Sequence, residues 1–378
     1  MGKRILCLLL TVCLLVTPAM AAELDVAAPS AILMEAETGT ILFEKAAHER
    51  LAPASVTKVM TLLLVMEALD SGQISWDDQV TASEFAAGKG GSQVYLEPGE
   101  QMSMDEMLKS VVVSSANDCA TALAEHVAGS EEAFVARMNE RAQELGLEDT
   151  HFVNCTGLDD MPEAVDHLSS AHDIAVMSRE LLRHDAIRKY TTIWMDTVRN
   201  GEFGLSNTNK LVRFYEGTTG LKTGYTSKAG HCLSASAKRD GVEYIAVVLH
   251  CGSSGERFQS AKDLLNYGFA NYTLAKPDEN IKIPPVPVVL GREEMITPVL
   301  QEDVTVLIEK GQKQGLTTQV EVAAEVRAPV EAGQQLGTMQ LTTGGKTIAS
   351  AALVAPEAVA RRSWWDLTKE LLESVCFT

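Results

Sequence analysis

Three short motifs contain the residues whose types and spacing suit nucleophilic catalysis by a serine. Within the 378 residues, Ser55 and Lys58 form the only S-x-x-K pattern. Ser115 and Asn117 form the only S-x-N pattern, and Lys222-Thr223-Gly224 is the only K-T-G. Because an S-x-x-K arises by chance about once in a chain of this length, the combination of three motifs is the informative feature.

The first motif supplies a nucleophile and a base. A serine hydroxyl is a weak nucleophile at neutral pH and requires an adjacent general base. Residues i and i+3 lie on one face of a helix, so Lys58 can reach the hydroxyl of Ser55. Lys58 acts as a base only when it is neutral. We expect burial on an apolar helix and the nearby charge of Lys222 to lower its pKa.

The second motif suits proton transfer and positioning. We expect Ser115 to relay a proton between Lys58 and the leaving amine of a substrate. The side chain of Asn117 can accept a hydrogen bond from Lys58 and can also bind an amide of the substrate. Both residues would therefore act next to the nucleophile.

The third motif suits the binding of an anionic substrate end. Lys222 and Thr223 provide a cation and a hydroxyl for a terminal carboxylate. Gly224 would let a substrate backbone approach a strand edge closely, because it has no side chain. By motif position, the backbone amides of Ser55 and Tyr225 are the expected donors to the oxyanion.

Each motif alone also has a purely structural explanation. Ser55 could be a helix N-cap, and Asn117-Asp118 could cap the helix that follows. Lys222–Gly224 could be a turn before the strand predicted from residue 231. The three motifs in this order, each in a suitable context, favour an active-site serine enzyme of the penicilloyl type over these explanations.

Hydrophobic periodicity predicts the elements that position the motifs. The helix predicted over 55–70 is apolar on nearly every side, which is typical of a buried core helix. A helical period also runs through 104–146, with breaks at 114–117 and near Gly129. The other predicted elements are a hairpin over 31–43, a helix over 174–182, a hairpin over 231–250 and a helix over 258–269.

A change of composition near Lys276-Pro277 predicts a second unit. Residues 283–287 are proline-rich and read as a linker or an edge strand, because proline cannot donate to a central ladder. Short β-branched runs with glycine-containing turns then predict a small all-β module. We define the β module as residues 276–357.

The net charge and the N-terminus bear on partners and compartment. The chain has 32 Lys and Arg against 51 Asp and Glu, a formal net charge of −19. This argues against nucleic acid, because phosphate binding needs a basic surface. Residues 1–22 resemble a secretory signal, with Lys3-Arg4, an apolar run and an Ala19-Met20-Ala21 cleavage site. An uncleaved signal anchor is the alternative, and either places the protein outside the cytoplasmic membrane.

The cysteines and histidines predict no metal site. The sequence has no C-x-x-C and no H-E-x-x-H, so a zinc peptidase is disfavoured. We expect no cofactor. Free buried thiols, with at most one bridge whose pairing stays open, are expected for the cysteines outside the signal, which are Cys119, Cys155, Cys232, Cys251 and Cys376.

The last residues, 361–378, have a helical period with an apolar stripe. Their three cations and three anions give no basic bias toward anionic lipid. The tail could make a peripheral membrane contact, or it could pack against another surface.

The motif blocks resemble those of the D-alanyl-D-alanine carboxypeptidases, the low-molecular-mass penicillin-binding proteins. The resemblance is carried by 53–61, which contains the nucleophile motif, by 114–118 and by 220–226. The segments 167–173 and 257–269, the signal, the β module and the tail agree with the family layout, so the resemblance covers nearly the whole mature chain.

The resemblance implies a fold, a reaction and a division of the chain. The expected fold is an α/β (α+β) catalytic domain like that of penicillin-binding proteins and serine β-lactamases, with an antiparallel sheet and a helical subdomain. The implied domains are a signal over 1–22, the catalytic domain over 23–275, the β module over 276–357 and an amphipathic helix over 358–378. Such enzymes remove the terminal D-alanine from peptidoglycan stem pentapeptides through an acyl-enzyme on the serine, here Ser55. β-Lactams acylate the same serine.

Two other functions are compatible with parts of this pattern. A class A β-lactamase shares the three motifs, but it also needs a Glu-x-x-Leu-Asn segment, and no E-x-x-[LI]-N occurs here. A catalytically silent wall-binding protein could retain the fold. Since all the motif residues are present, the carboxypeptidase is the preferred interpretation.

Overall fold

The computed structural model describes residues 24–160, 162–278, 280–366 and 368. The signal predicted over 1–22 therefore lies outside the described residues. The same holds for Cys376 and for most of the tail predicted to be an amphipathic helix.

The helices follow the predicted pattern closely, and serine caps begin many of them. The hydroxyls of Ser103, Ser130, Ser170 and Ser253 each accept a hydrogen bond from a backbone N–H three residues further on. The helices are α1 Lys58–Asp70, α2 Glu84–Ala87, α3 Met104–Val113, α4 Asn117–Ala128, α5 Glu131–Glu144, α6 Ala171–Arg183, α7 Arg188–Thr191, α8 Leu211–Phe214 and α9 Ser254–Asn271. The 3-10 helices are Ala54–Thr57, Pro162–Asp166, Asp185–Ile187 and Lys310–Gly315.

The strands before the β module include one five-stranded antiparallel sheet, in the order β2-β1-β9-β8-β7. Ile32 and Val247 point into the core formed with the helices that follow the first motif, whereas Leu33 and Val248 point toward α9. The sheet is thus covered on both faces. These strands are β1 Ser30–Glu35, β2 Ile41–Lys45, β3 Gln79–Thr81, β4 Gln101–Ser103, β5 Met195–Val198, β6 Phe203–Ser206, β7 Thr218–Thr226, β8 Gly230–Arg239, β9 Val242–Cys251 and β10 Tyr272–Ala275.

Helix α1 is the buried core helix that the sequence predicts. Ten of its thirteen residues are buried, including Lys58 at its first position. It packs against α4 and α6. A helix surrounded by apolar side chains on every face removes whatever stands at its N-terminus from bulk water.

The K-T-G motif precedes the strand predicted from residue 231, as expected, but it also lies inside a strand of its own. Lys222–Gly224 belong to β7, which pairs with β8 and forms the edge of the five-stranded sheet. The turn explanation for this motif is therefore wrong. The predicted hairpin over 231–250 is confirmed as β8 and β9.

The β module consists of short strands in separate sheets. Its largest sheet has four strands in the order β13-β18-β17-β15. A separate pairing of β14 with β10 joins the module to the preceding chain. None of the described helices is both long and apolar enough to cross a membrane. The strands are β11 Val286–Val289, β12 Met295–Ile296, β13 Val299–Leu300, β14 Val306–Glu309, β15 Leu316–Val322, β16 Val326–Arg327, β17 Gln335–Thr343 and β18 Lys346–Val354.

The edge-strand alternative for the proline-rich segment is only half right. β11 is the middle strand of the order β12-β11-β16, with a neighbour on either side. The two neighbours are offset, because β12 pairs with Val286 and Pro287 whereas β16 pairs with Val288 and Val289. Pro287 therefore has a paired strand on one side only, as a residue of an edge strand does, so its lack of an N–H donor is tolerated.

Two glycines let three backbone segments converge at the start of α1. A Cβ at Gly224 would lie 2.7 Å from the carbonyl oxygen of Pro53 and 3.0 Å from the amide of Ser55. A Cβ at Gly157 would lie 1.8 Å from the carbonyl oxygen of Ala54, and Gly157 has φ +82°. Ala54 itself has φ +48°, a conformation that L-residues rarely adopt. The close approach at Gly224 is to the chain's own backbone, so its contact with substrate stays a prediction.

We expect Gly157→Ala to displace the turn that carries Ser55. The substitution combines a positive φ with a steric overlap on the carbonyl of Ala54. We expect a loss of more than about 3 kcal/mol in the free energy of unfolding and a loss of covalent labelling by penicillin. Gly146→Ala is the matched control, because Gly146 also has a positive φ (+69°) but has open space around it. Its expected cost is about 1 kcal/mol. Equal destabilisation of the two variants in urea unfolding would contradict the steric argument.

Candidate active site

Ser55 and Lys58 lie on adjacent turns at the start of the core helix. Ser55 belongs to the 3-10 helix Ala54–Thr57, and α1 begins at Lys58. The Nζ atom of Lys58 is 3.1 Å from the Oγ atom of Ser55. Ser55 is partly exposed, whereas Lys58 is fully buried. The hydroxyl can thus meet a ligand while the amine is kept from water.

Lys58 has three hydrogen-bond partners from three separate segments. Besides Ser55, its Nζ donates to Oδ1 of Asn117 at 2.6 Å and to the carbonyl oxygen of Thr156 at 2.9 Å. Burial lowers the pKa of Lys58 from 10.5 to about 7, although the Asp118 carboxylate offsets part of this shift. Sequence reasoning missed Thr156, because a backbone carbonyl has no signature of residue type.

Asn117 and Ser115 stand at the start of α4. The Nδ2 atom of Asn117 donates to the carbonyl oxygen of Gly90 at 2.7 Å, and its backbone N–H donates to Ser92 at 2.7 Å. Ser115 has φ +63° and is buried, and its Oγ has no hydrogen-bond partner among the described residues. The contact between Ser115 and Lys58 is therefore not formed here, and the relay stays a prediction. The contact between Asn117 and Lys58 is formed.

Asp118 is a buried carboxylate that sequence reasoning treated only as a cap. Its oxygens accept hydrogen bonds from the backbone amides of Val94 and Leu96, at 3.1 Å each for Oδ2. The segment that contacts Asn117 through Gly90 and Ser92 is thereby also held by Asp118. Burial raises the pKa of the neighbouring Cys119 well above its ordinary value, so this thiol is neutral and inert, as expected for a small buried residue.

Lys222 and Thr223 lie on β7 beside the nucleophile. Lys222 is buried and donates from Nζ to the carbonyl oxygen of Thr223 at 3.0 Å. Burial lowers the pKa of Lys222 well below its ordinary value, and the charges of Lys58 and Arg257 lower it further. The Oγ1 atom of Thr223 donates to that of Thr208 at 2.6 Å.

Arg257 is a further cation near K-T-G, which sequence reasoning named only within the family-like segment 257–269 and gave no role in the site. It is buried on the first turn of α9 and donates to the carbonyl oxygens of Gly224 and Cys232 at 3.0 and 3.2 Å. No carboxylate among the described residues pairs with it. One signal could have found it, because a lone arginine stands on the apolar face that α9 buries. Tyr225, in contrast, is exposed and stacks on His231 with ring centroids 4.4 Å apart.

The remaining predictions concern cysteines and metals. Cys119, Cys155, Cys232 and Cys251 are free and buried. Within the part of the chain that the structure describes, no group of His, Cys, Asp and Glu is arranged to hold a metal ion.

Comparisons with known families match most of the chain. The family model described as D-alanyl-D-alanine carboxypeptidase matches residues 17–253. A second model, described as the C-terminal domain of penicillin-binding protein 5, matches residues 269–361. The first alone covers more than half of the chain.

Individual relatives agree with the family models. The D-alanyl-D-alanine carboxypeptidase DacF of Bacillus subtilis is 41% identical over 355 residues, which cover 93% of this chain and 90% of that protein. Penicillin-binding protein 5 from Haemophilus influenzae superposes with a TM-score of 0.77 at 31% identity, covering 89% of this chain and 98% of that structure. Penicillin-binding protein D2 from Listeria monocytogenes, in its ampicillin-bound form, gives a TM-score of 0.59 at 30% identity and covers 65% of this chain and 99% of its own. This chain therefore belongs to the D-alanyl-D-alanine carboxypeptidase family of penicillin-binding serine peptidases.

Proposed function

We propose that this protein removes the terminal D-alanine from peptidoglycan stem pentapeptides through an acyl-enzyme on Ser55. The observation that carries the proposal is the contact between Ser55 Oγ and the buried amine of Lys58, at 3.1 Å. With a pKa near 7, this amine is neutral in a large fraction of molecules at physiological pH. It can therefore act as the general base that a serine nucleophile needs.

The acylation step follows from these positions. Ser55 Oγ attacks the carbonyl carbon of the penultimate D-alanine, and its proton passes to Lys58 Nζ. The backbone N–H groups of Ser55 and Tyr225 would stabilise the oxyanion. The C–N bond then breaks, Ser115 passes the proton to the leaving amine, and D-alanine departs. Water hydrolyses the resulting ester, which releases the shortened peptide and regenerates Ser55.

The edge of the sheet suits an extended peptide. β7 ends the five-stranded sheet, so its outer edge can pair with a substrate backbone. We place the terminal carboxylate near Lys222 and Thr223. The buried guanidinium of Arg257, which has no acidic partner among the described residues, adds positive potential there. A β-lactam carries a carboxylate and an electrophilic carbonyl, so it would acylate the same serine.

The location of the protein follows from the substrate. Peptidoglycan lies outside the cytoplasmic membrane, in the periplasm or on the outer face of the cell membrane. We propose that residues 1–22 are a secretory signal peptide and that the catalytic domain spans 23–275. The β module would follow over 276–357. Residues 361–378 would make a peripheral membrane contact, which is consistent with the exposed side chains of Trp364 and Trp365.

We expect Ser55→Ala to abolish both covalent labelling by penicillin and D-alanine release from a pentapeptide, because the nucleophilic oxygen is lost. Intact-protein mass spectrometry measures the first and an amino-acid assay the second. Ser71→Ala, just beyond the other end of α1, is the matched control and should behave as wild type. Unchanged D-alanine release in Ser55→Ala would contradict the assignment. Absence of release from wild type would favour a silent wall-binding protein. Rapid hydrolysis of a chromogenic cephalosporin would favour a β-lactamase.

We expect acylation to weaken in acid as Lys58 becomes protonated. With a pKa of about 7, about half of the Lys58 side chains are neutral at that pH, and in more acidic solution the neutral fraction falls about tenfold for each pH unit. The second-order rate constant for acylation by penicillin should therefore drop about tenfold between pH 6 and pH 5. Circular dichroism at each pH checks that the protein stays folded. A rate constant that is flat from about pH 8 to pH 5 would exclude Lys58 as the base.

A further inference from the structure

A largely buried ion pair lies outside the three motifs. The Nζ atom of Lys89 is 2.5 Å from Oε2 of Glu131, and the two side chains are only 12% and 10% exposed. The ammonium also lies 4.0 Å from the centre of the Phe85 ring, a favourable cation–π distance. Lys89 belongs to the segment after α2, and Glu131 is the first residue of α5.

The second oxygen of Glu131 holds the segment that carries Thr156. Oε1 accepts hydrogen bonds from the backbone N–H of Cys155 at 3.2 Å and from its Sγ at 3.1 Å. Burial raises the pKa of the Cys155 thiol well above its ordinary value, so the thiol keeps its proton and can donate it. The next carbonyl along the chain, that of Thr156, is the one that accepts from Lys58.

Lys89 is adjacent in the chain to a residue that contacts Asn117, the other residue besides Thr156 that accepts a hydrogen bond from Lys58. Lys89 is followed by Gly90, whose carbonyl accepts from Nδ2 of Asn117. Oδ1 of the same amide accepts from Nζ of Lys58. A Cβ at the adjacent Gly91 would lie 2.7 Å from Nδ2 of Asn117, so this segment is pressed against the amide.

These contacts close a ring that begins and ends at the amine of Lys58. We propose that Glu131, with Lys89, is a positioning residue that holds the two acceptors of Lys58 in place, so that the amine stays aimed at Ser55. The ring runs from Lys58 to Asn117 and from Asn117 to Gly90, which is next to Lys89 in the chain. It continues from Lys89 to Glu131 and from Glu131 to Cys155. Thr156, which follows Cys155, returns it to Lys58. The ion pair is the polar contact that closes the ring between the segment at Lys89–Gly90 and the segment at Cys155–Thr156.

The position of the pair argues for this role over a general contribution to stability. A buried ion pair often stabilises a fold no better than apolar residues of similar size, because both charges lose their hydration. In this ring the two segments that carry the acceptors of Lys58 are joined on one side by Lys58 and on the other by the ion pair, so loss of the pair would leave both acceptors less firmly held. Small displacements of a catalytic group reduce rates steeply, so the acylation step should be sensitive. The inference rests on the proposed acylation of Ser55.

The test compares variants in the rate constant for acylation by penicillin and in the dissociation constant of the complex that precedes it. The double variant Lys89→Met/Glu131→Gln opens the ring without leaving an unpaired charge. Glu131→Gln alone is the second variant. Glutamine still offers an oxygen to Cys155, so this variant chiefly removes the charged contact with Lys89. Lys89→Arg keeps a cation opposite Glu131.

The matched control removes an ion pair outside the ring. Lys109 Nζ lies 3.0 Å from Asp196 Oδ2, with side chains 16% and 37% exposed, and joins α3 to the β5–β6 hairpin. The double variant Lys109→Met/Asp196→Asn removes this pair. Rates are expressed per folded molecule, by titrating the amount of protein that becomes covalently labelled.

We expect both Glu131→Gln variants to acylate about tenfold or more slowly than wild type, with the dissociation constant unchanged within about twofold. The arginine variant and the control should stay close to wild type. The proposal is overturned if the Glu131→Gln variants acylate at the wild-type rate, if the control slows equally, or if the loss lies in the dissociation constant. Failure of wild type to acylate would instead overturn the proposed function.

Discussion

The removal of Lys58 from water is the constraint on which the rest of the site depends. A lysine near its ordinary pKa is charged at neutral pH and cannot accept a proton from serine. Here the same helix that forms the hydrophobic core carries the lysine at its first position, so burial is supplied by folding itself. The amine is not left without partners, because a hydroxyl, a side-chain amide oxygen and a backbone carbonyl oxygen all lie within hydrogen-bond distance of it. Desolvation therefore lowers the pKa while the hydrogen bonds fix the direction of the amine.

A second consequence of this constraint is crowding around the nucleophile. Three segments must reach the start of α1 to enclose Lys58, and two of them approach so closely that only glycine fits, at Gly157 and Gly224. The unusual backbone of Ala54 is held by the same contacts. The buried guanidinium of Arg257 lacks an acidic partner among the described residues, although the chain as a whole carries a net charge of −19. Net charge thus describes the outer surface, and the site presents the opposite sign to an anionic substrate end.

Much of the fold and the core of the site could be predicted from local patterns. The helix over 55–70 and the breaks at 114–117 and Gly129 follow from apolar periodicity and capping residues. The proximity of Ser55 and Lys58 follows from helical spacing alone. The strand that contains Lys222–Gly224 was missed, because its glycine and lysine weaken the β pattern.

The remaining features depend on contacts between residues distant in sequence. The carbonyl of Thr156 and the ring through Glu131 have no pattern of residue types along the chain, and they exist only once the loops pack. Gly157 gave no signal either, since its clash partner Ala54 lies about a hundred residues earlier. The relay through Ser115 was expected from motif position, but the hydroxyl has no partner among the described residues.

The pKa of the Lys58 side chain tests the central claim most directly. Nuclear magnetic resonance of protein labelled with ¹³C at lysine Cε follows each amine through a pH titration, and Lys58→Arg identifies its signal. We predict a midpoint of about 7 for Lys58, well below the ordinary value of about 10.4 for an exposed lysine. A Lys58 midpoint close to that of the exposed lysines would contradict the account, because a charged amine could not activate Ser55.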